Sequence, residues 1–512
     1  MSVGTMLSRV FGFIRDALIF ALFDRTVTDA FVVGFRIPNL FRRIFGEGSL
    51  SVSFIPVFVD YLNTSPDPAK AKQLSDATFS ALMTVTTTLS LLLFVYMDVI
   101  VKLLVGNEAG YVNIPGKLEL TVYLSRIMVL YLILVTTYAY FMAICNALNH
   151  FFWPAFAPAL YNLFAIAFSL FPNFGVKGEV LAWGVVAGGL GQFLITAWVA
   201  AKIGFFPKWT FKWRGTGFSW VLKNMGPGVF GLGIYQVMTL VNTRFAAGLA
   251  EGSQSYIYAA DRVLELPQSL IAISLGTALL PRYSEYLAKK EPHKLIEEAR
   301  STLRLLLYLS IPSAIGMYFL AVPLTDVLFR RGSFNTNDTY QTALVVQVYS
   351  VLLLASSISK VTVPAFYAMK NTRLPAMVAA VVLVVHIILG RWLVNSYGLV
   401  GLSCATAVSG FLNMFILQVI FNSRFGNLGD RQLWLSLAQM IPASTALWAL
   451  CVFGHPWLKD LLHSRVLTLG VDVVVGALIY FVVSYGCRSP EAEKLLGRFF
   501  GRLPKMFFLR RG

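Results

Sequence analysis

The sequence predicts an all-α polytopic membrane protein of fourteen transmembrane helices, and three observations carry that reading. Of its 512 residues, 57% are apolar and only 13% are charged, against about 25% charged in an ordinary soluble chain. Mean hydropathy is correspondingly high, at +0.69. Apolar stretches of about 20 residues recur from end to end, each long enough to cross roughly 30 Å of hydrocarbon. No polar linker of the kind that separates soluble domains interrupts them, and the period-2 alternation of an outer-membrane barrel is absent.

The spans begin near Thr5, Thr28, Asp76, Leu118, Phe152, Val180, Ser219, Gln254, Thr302, Tyr340, Leu374, Val400, Leu433 and Val466. Loops after even-numbered spans, together with the C-terminal tail, hold most of the Lys and Arg, which places both termini in the cytoplasm. The clearest inside loop runs from Lys202 through Lys208 and Lys212 to Arg214. The tail mixes basic residues with Leu and Phe and reads as an amphipathic helix on the anionic phospholipids of the inner leaflet. The net charge of +17 therefore needs no nucleic-acid partner. The N-terminus lacks the basic region and cleavage site of a signal peptide and reads as the first membrane helix. Cys145, Cys404, Cys451 and Cys487 lie far apart, the five histidines are scattered, and no P-loop occurs. No metal, cofactor or ATP-driven chemistry is expected.

The chain also repeats. Trp153-Pro154-Ala155 and Leu374-Pro375-Ala376 open spans 221 residues apart, and the same offset relates Leu181 to Leu402 and Gln192 to Asn413. Earlier, Ile37-Pro38-Asn39 leading to Phe54-Ile55-Pro56 and Tyr61-Leu62 is echoed by Leu266-Pro267-Gln268 leading to Leu280-Pro281 and Tyr286-Leu287. Four segments follow: an N-lobe of spans 1–6 (1–214), a C-lobe of spans 7–12 (215–427), an extra helix pair (428–488) and a basic amphipathic tail (489–512). Duplicated bundles with a site at the repeat interface are the usual architecture of secondary transporters.

Charges inside the spans point to function. Arg9 and Arg15 lie in span 1, Arg36, Arg42 and Arg43 in span 2, Arg244 in span 7, Arg262 in span 8 and Lys360 in span 10. A central arginine costs about 2.5–3.5 kcal/mol on insertion scales, so these side chains need a watery cavity or partners. Asp29, Arg36 and Arg43, spaced by seven, share a stripe. Ser8 and Arg15 share a face, whereas a regular helix points Arg9 and Arg15 about 120° apart. Arg262 and Glu265 are neighbours at i,i+3. Lys102, Arg126, Lys223 and Arg282 sit near span ends, where snorkelling explains them, and Arg244 can snorkel from the outer end of span 7. Against five arginines, spans 1 and 2 offer Asp16, Asp29 and Glu47. A cavity with surplus guanidinium suits phosphate and carboxylate, so the substrate is read as an anion.

These residues carry a family resemblance. Ser8-Arg9-Val-Phe-Gly12-Phe-Ile-Arg15-Asp16, Thr28-Asp29-Ala-Phe and Arg36-Ile-Pro38-Asn39-Leu-Phe-Arg42-Arg43-Ile-Phe-Gly-Glu47-Gly48 resemble the opening of the MurJ (MviN) family of lipid II flippases. Pro154 to Pro158 with Asn162, Gly226-Pro227, Ala260-Asp261-Arg262 with Glu265 and Pro267, and Lys360 with Pro364 to Tyr367 follow the family's order. The resemblance implies a member of the multidrug/oligosaccharidyl-lipid/polysaccharide exporter superfamily, built from two six-helix lobes and two extra helices. It implies movement of the undecaprenyl-diphosphate-linked peptidoglycan precursor across the bacterial cytoplasmic (inner) membrane by alternating access, which is transport and not enzyme catalysis. It implies substrate-binding roles for Arg9, Arg15, Arg42 and Arg262, with Asp29 as their acidic companion. Ser8, Arg36, Arg43, Glu47, Asp261, Glu265 and Lys360 complete the expected cavity, in which Asp29 and Glu265 hold the arginines in place. The extra helix pair would form a groove for the lipid tail. Sodium-binding members use acidic and amide residues where this chain has Asn242, His386 and Gly390, so no sodium site is expected. Expected partners are lipid II, anionic phospholipids at the tail and other cell-wall synthesis proteins. Three rival readings stay open: a flippase for another polyprenyl-diphosphate glycan, a drug or cation antiporter, which the sign of the cavity disfavours, and a non-transporting membrane scaffold, which the retained buried arginines disfavour.

Overall fold

A chain in hydrocarbon must satisfy its own backbone, and a helix does so within one segment. In a computed structural model of this chain, which describes residues 2–44, 50–64, 69–106, 108–275 and 279–500, every regular element among the described residues is a helix. Nine of these helices are long and apolar enough to cross a membrane: Ala69–Val95, Lys117–Ala147, Phe152–Ser169, Glu179–Lys202, Pro292–Phe319, Thr336–Ala368, Arg373–Phe425, Arg431–Leu462 and Arg465–Gly486. Ser2–Leu22, Arg25–Ile44 and Ser253–Leu275 are also long, but each carries three or more charged residues. Arg25 apart, those charges are the ones singled out above.

The Arg373–Phe425 helix has 53 residues and would be about 80 Å long if straight, more than twice the hydrocarbon thickness. It breaks at Gly398, whose φ of 56° and ψ of −129° are not helical and lie where only glycine rests without strain. Two helices therefore run end to end, as the span starts near Leu374 and Val400 anticipate. Short helices fill the connections, among them Leu50–Thr64, Met97–Val105, Leu279–Ala288 and Ala321–Phe329. The first and third of these carry the Pro56/Tyr61 and Pro281/Tyr286 motifs of the repeat. Phe54 and Phe58 are fully buried and stack at 5.1 Å. The expected tail helix begins as Pro490–Phe500, and residues 501–512 lie outside the described residues.

The chain forms two compact units, one of Met1–Ala259, Phe329–Asp338 and Ala379–Leu402, the other of Ala260–Leu328, Thr339–Val378 and Ser403–Gly512. In the first, Phe152–Ser169 and Glu179–Lys202 approach so closely that a Cβ on Gly188 would sit 2.8 Å from the Tyr161 carbonyl oxygen. Such small-residue contacts let dispersion hold helices together where lipid competes for apolar surface. In the second unit, Tyr308, Leu320, Met440, Leu447, Leu469 and Tyr480 share one core. Asp430 caps the Arg431–Ala449 helix by accepting from the Leu433 N–H at 2.7 Å.

The break at Gly398 gives a direct test. Gly398→Ala should destabilise the protein by about 1–3 kcal/mol, read as a lower thermal midpoint in detergent. Gly470→Ala is the control: an added Cβ there meets nothing within 4 Å, so its midpoint should hold or rise slightly.

Candidate functional site

An arginine held among apolar helices must have its donors satisfied, and Arg15 shows how the first unit does this. Its Nε and one terminal nitrogen donate to a single oxygen of Asp16, at 2.9 and 2.7 Å. The other terminal nitrogen donates to Asn162 Oδ1 at 2.9 Å, and the Tyr258 hydroxyl lies 3.2 Å from the terminal nitrogen that bonds Asp16. The Tyr161 ring faces the guanidinium at 5.7 Å. Asn162 also donates to the Ser8 carbonyl at 2.7 Å, so one amide joins the two residues that the helical period places on one face. Arg15 is buried and Arg9 is exposed, consistent with their divergent directions.

Asp29 departs from expectation. Instead of accompanying the arginines, it is buried against Lys117, whose Nζ donates to Oδ2 at 2.8 Å. Its carboxylate also accepts the backbone N–H groups of Gly252 (2.8 Å) and Ser255 (3.0 Å) and the Ser255 hydroxyl (2.7 Å). These donors lie at the start of the Ser253–Leu275 helix, where the helix dipole favours negative charge. Lys117 is the residue that sequence reading missed. It opens a span, a position that normally signals snorkelling, and nothing in the local pattern reveals a carboxylate 88 residues away. Arg36 donates to the Thr239 carbonyl at 3.1 Å and to Gln254 Oε1 at 3.4 Å. Nearby, Arg25 pairs with Asp338 at 2.7 Å, the Tyr256 hydroxyl donates to the same carboxylate oxygen, and Thr26 donates to Glu251.

Arg42 donates to Asn39 on its own helix at 2.9 Å, and Arg43 is half-buried. Glu47 lies outside the described residues. Asn242 and His386 are both buried and hydrogen-bond to each other at 2.7 Å, while a Cβ on Gly390 would strike the Phe245 ring. Arg244 is exposed and reaches Glu108 at 3.5 Å. In the second unit, Arg262 donates to Glu265 at 2.7 Å, the expected i,i+3 pair. Asp261 is exposed, and Lys360 reaches the Gln268 carbonyl at 3.3 Å. The predicted site residues thus form three groups: Ser8 with Arg15, Asp29 with a lysine, and Arg262 with Glu265.

Most of the chain is similar to known proteins of one family. The family model described as lipid II flippase MurJ matches residues 19–469. A probable lipid II flippase MurJ of Bdellovibrio bacteriovorus is 43% identical over 82% of this chain and 80% of its own length. Another from Vibrio cholerae is 32% identical over 94% of each. A solved structure of the lipid II flippase MurJ in an inward closed conformation superposes with a TM-score of 0.77, covering 98% of this chain and 99% of that one at 23% identity. The arginine-bearing helices and these matches lead to one conclusion: the chain belongs to the MurJ family of lipid II flippases.

Proposed function

We propose that this protein moves lipid II, the undecaprenyl-diphosphate-linked peptidoglycan precursor, from the inner to the outer leaflet of the bacterial cytoplasmic membrane by alternating access. The observation that carries the reading is the sign of the charge left in its helices. Lys117 takes the charge of Asp29, so the guanidinium surplus of the first two helices is larger than composition alone implies. Arg9, Arg15, Arg42 and Arg262 hold the diphosphate and peptide carboxylates, with Ser8, Arg36, Arg43, Glu47, Asp261, Glu265 and Lys360 in support. Nothing in this task requires a bond to be made or broken in the substrate. Fourteen spans result when the Gly398 break divides the longest helix and four further helices, Ser2–Leu22, Arg25–Ile44, Phe218–Ala247 and Ser253–Leu275, join the nine apolar ones. Both termini then lie in the cytoplasm, and the tail rests on anionic phospholipid.

Two features support the transport cycle. Bonds from Arg25 to Asp338, from Thr26 to Glu251 and from the Gly252 and Ser255 N–H groups to Asp29 tie the turn between the first two helices to the starts of later ones. They act as an outer closure. In the second unit, an apolar groove of about 490 Å3 lies along the Pro292–Phe319 and Arg431–Ala449 helices, lined by Ile311, Ile315, Phe319, Leu437, Ile441 and Trp448. It suits an isoprenoid chain, the role inferred for the extra helix pair.

In a strain depleted of its native flippase, Arg15→Ala, Arg42→Ala and Arg262→Ala should each fail to restore growth while the protein accumulates normally. Flipping in vesicles should fall about ten- to a hundredfold, the worth of one charged hydrogen bond, with lysine rescuing only in part because it lacks the bidentate fork. Three fully active alanine variants would sink the assignment. If the vesicle substrate is exchanged for another polyprenyl-diphosphate glycan and flips as well, the lipid II specificity fails.

Lys117→Met should cost about 3–5 kcal/mol by leaving a buried carboxylate without its cation. Adding Asp29→Asn should return most of it, which a double-mutant cycle on thermal midpoints would measure.

Flipping should also follow membrane potential and ignore sodium. Each negative charge moved outward gains about 2.3 kcal/mol per 100 mV of inside-negative voltage, and Asn242 and His386 are occupied with each other. Vesicles with independent voltage and sodium gradients decide the matter, and a sodium-driven, voltage-indifferent rate contradicts it.

A further inference from the structure

A cavity of about 900 Å3 opens in the first unit where four segments meet: the turn around Asp24, the Met97–Val105 helix, the first turns of the Lys117–Met128 helix, and the loop before Glu179. That volume is in the range of small-ligand pockets. Six charged side chains line it: Asp24, Asp98, Lys102, Glu119, Arg126 and Lys177. We propose that this pocket is a binding site for a peptide segment carrying both an ammonium and a carboxylate, the outer-face resting place for the peptide part of the translocated headgroup. The proposal rests on the lipid II reading above and on the orientation that puts odd-numbered loops outside.

The argument is one of charge already spent and charge left over. Asp24 and Lys177 are spent on each other. Partial burial works against ionising Asp24, but the hydrogen bonds from Lys177 and the Val27 N–H prevail and hold its carboxyl below the usual carboxylate range. Asp98 and Arg126 stand 3.9 Å apart, a loose pair, and the Arg126 Nε is buried with no hydrogen-bond partner among the described residues. Lys102 and Glu119 are exposed and make no ion pair among the described residues. One cation and one anion are thus uncommitted on the same wall. A purely anionic ligand would meet three carboxylates and a purely cationic one three cations, whereas a ligand of both signs completes the set.

A second observation places polar capacity behind that wall. Glu179 is 4% exposed. One of its carboxylate oxygens accepts from the Tyr123 hydroxyl at 3.0 Å, and the other has no partner among the described residues. Tyr123 itself lines the pocket. A buried carboxylate with a vacant acceptor costs free energy unless something donates to it, and an ammonium reaching past Tyr123 would do so. Thr26 lines the pocket on one side and donates to Glu251 on the other. Occupancy of the pocket would therefore be felt at the outer closure.

The test is calorimetric titration of the full-length protein, in nanodiscs of phosphatidylcholine and phosphatidylglycerol, with the tripeptide Ala-Glu-Lys bearing free termini. Saturable binding is expected, weakened about tenfold or more by Lys102→Ala and by Glu119→Gln and unchanged by Lys459→Ala, which is outside the pocket. Absence of saturable binding, or binding indifferent to both pocket substitutions, overturns the proposal. So does binding lost in Arg262→Ala but kept in Lys102→Ala, which would move the peptide to the arginines. Binding abolished when phosphatidylethanolamine replaces phosphatidylcholine gives the pocket to a lipid headgroup instead, and that too overturns it. The titration reads binding and not flipping, so a failed pocket leaves the flippase reading standing, and the vesicle assays judge that reading separately.

Discussion

A carboxylate buried in hydrocarbon has to collect donors from wherever the chain can bring them, and Asp29 collects an ammonium, a hydroxyl and two backbone N–H groups. These donors come from distant parts of the sequence: the start of one span at Lys117 and the start of another at Gly252 to Ser255. The Coulombic gain offsets desolvation only when the remaining lone pairs are also used, so the four partners are held in register with one another. That requirement fixes where the second helix sits against the Lys117–Met128 helix. The close approach at Gly34 fits this arrangement, since an added Cβ there would stand 2.7 Å from Met128 and Ser125 side-chain atoms.

Arg15 solves the opposite problem. Its guanidinium is paired with the neighbouring Asp16 carboxylate, and an amide, a phenol and an aromatic face also contact it. The amide takes the terminal nitrogen that the carboxylate does not reach. Arg262, tied to a half-exposed Glu265, keeps its partner within reach of water, where the pairing is weak and readily exchanged.

Much of this was legible in the sequence, for reasons that can be named. Many helix starts were readable because apolar runs of membrane length are bounded by charge, Gly or Pro, and Gly178 and Gly217 stand immediately before the helices at Glu179 and Phe218. The Ser8–Arg15 face and the Arg262–Glu265 pair follow from helical periodicity alone. Less was visible where the third dimension decides. Leu50–Thr64 and Leu279–Ala288 left only a repeated Pro and Tyr signature, too short for a span. The partner of Asp29 could not be deduced because pairing across 88 residues leaves no local trace. The role of Asn162, present in the quoted motif, became clear only when its amide was seen joining Ser8 to Arg15.

The last helices of the chain are built into the second unit's interior. The Tyr308 hydroxyl bonds to Ser484 at 2.6 Å, and its ring packs on Tyr480 at 5.2 Å. Arg304 lies between Asp430 and Glu491, at 3.7 and 3.4 Å. During synthesis, the Pro292–Phe319 helix therefore enters the membrane nearly two hundred residues before its polar groups meet their final partners. Translation proceeds at about 5–20 residues per second, so this helix waits on the order of ten seconds or more with a phenol and a guanidinium provisionally satisfied. Completion of this unit thus waits for Ser484 and Glu491 to emerge from the ribosome, and a nascent chain stalled before Arg465 would present an unfinished helix face to the cell's quality-control proteases.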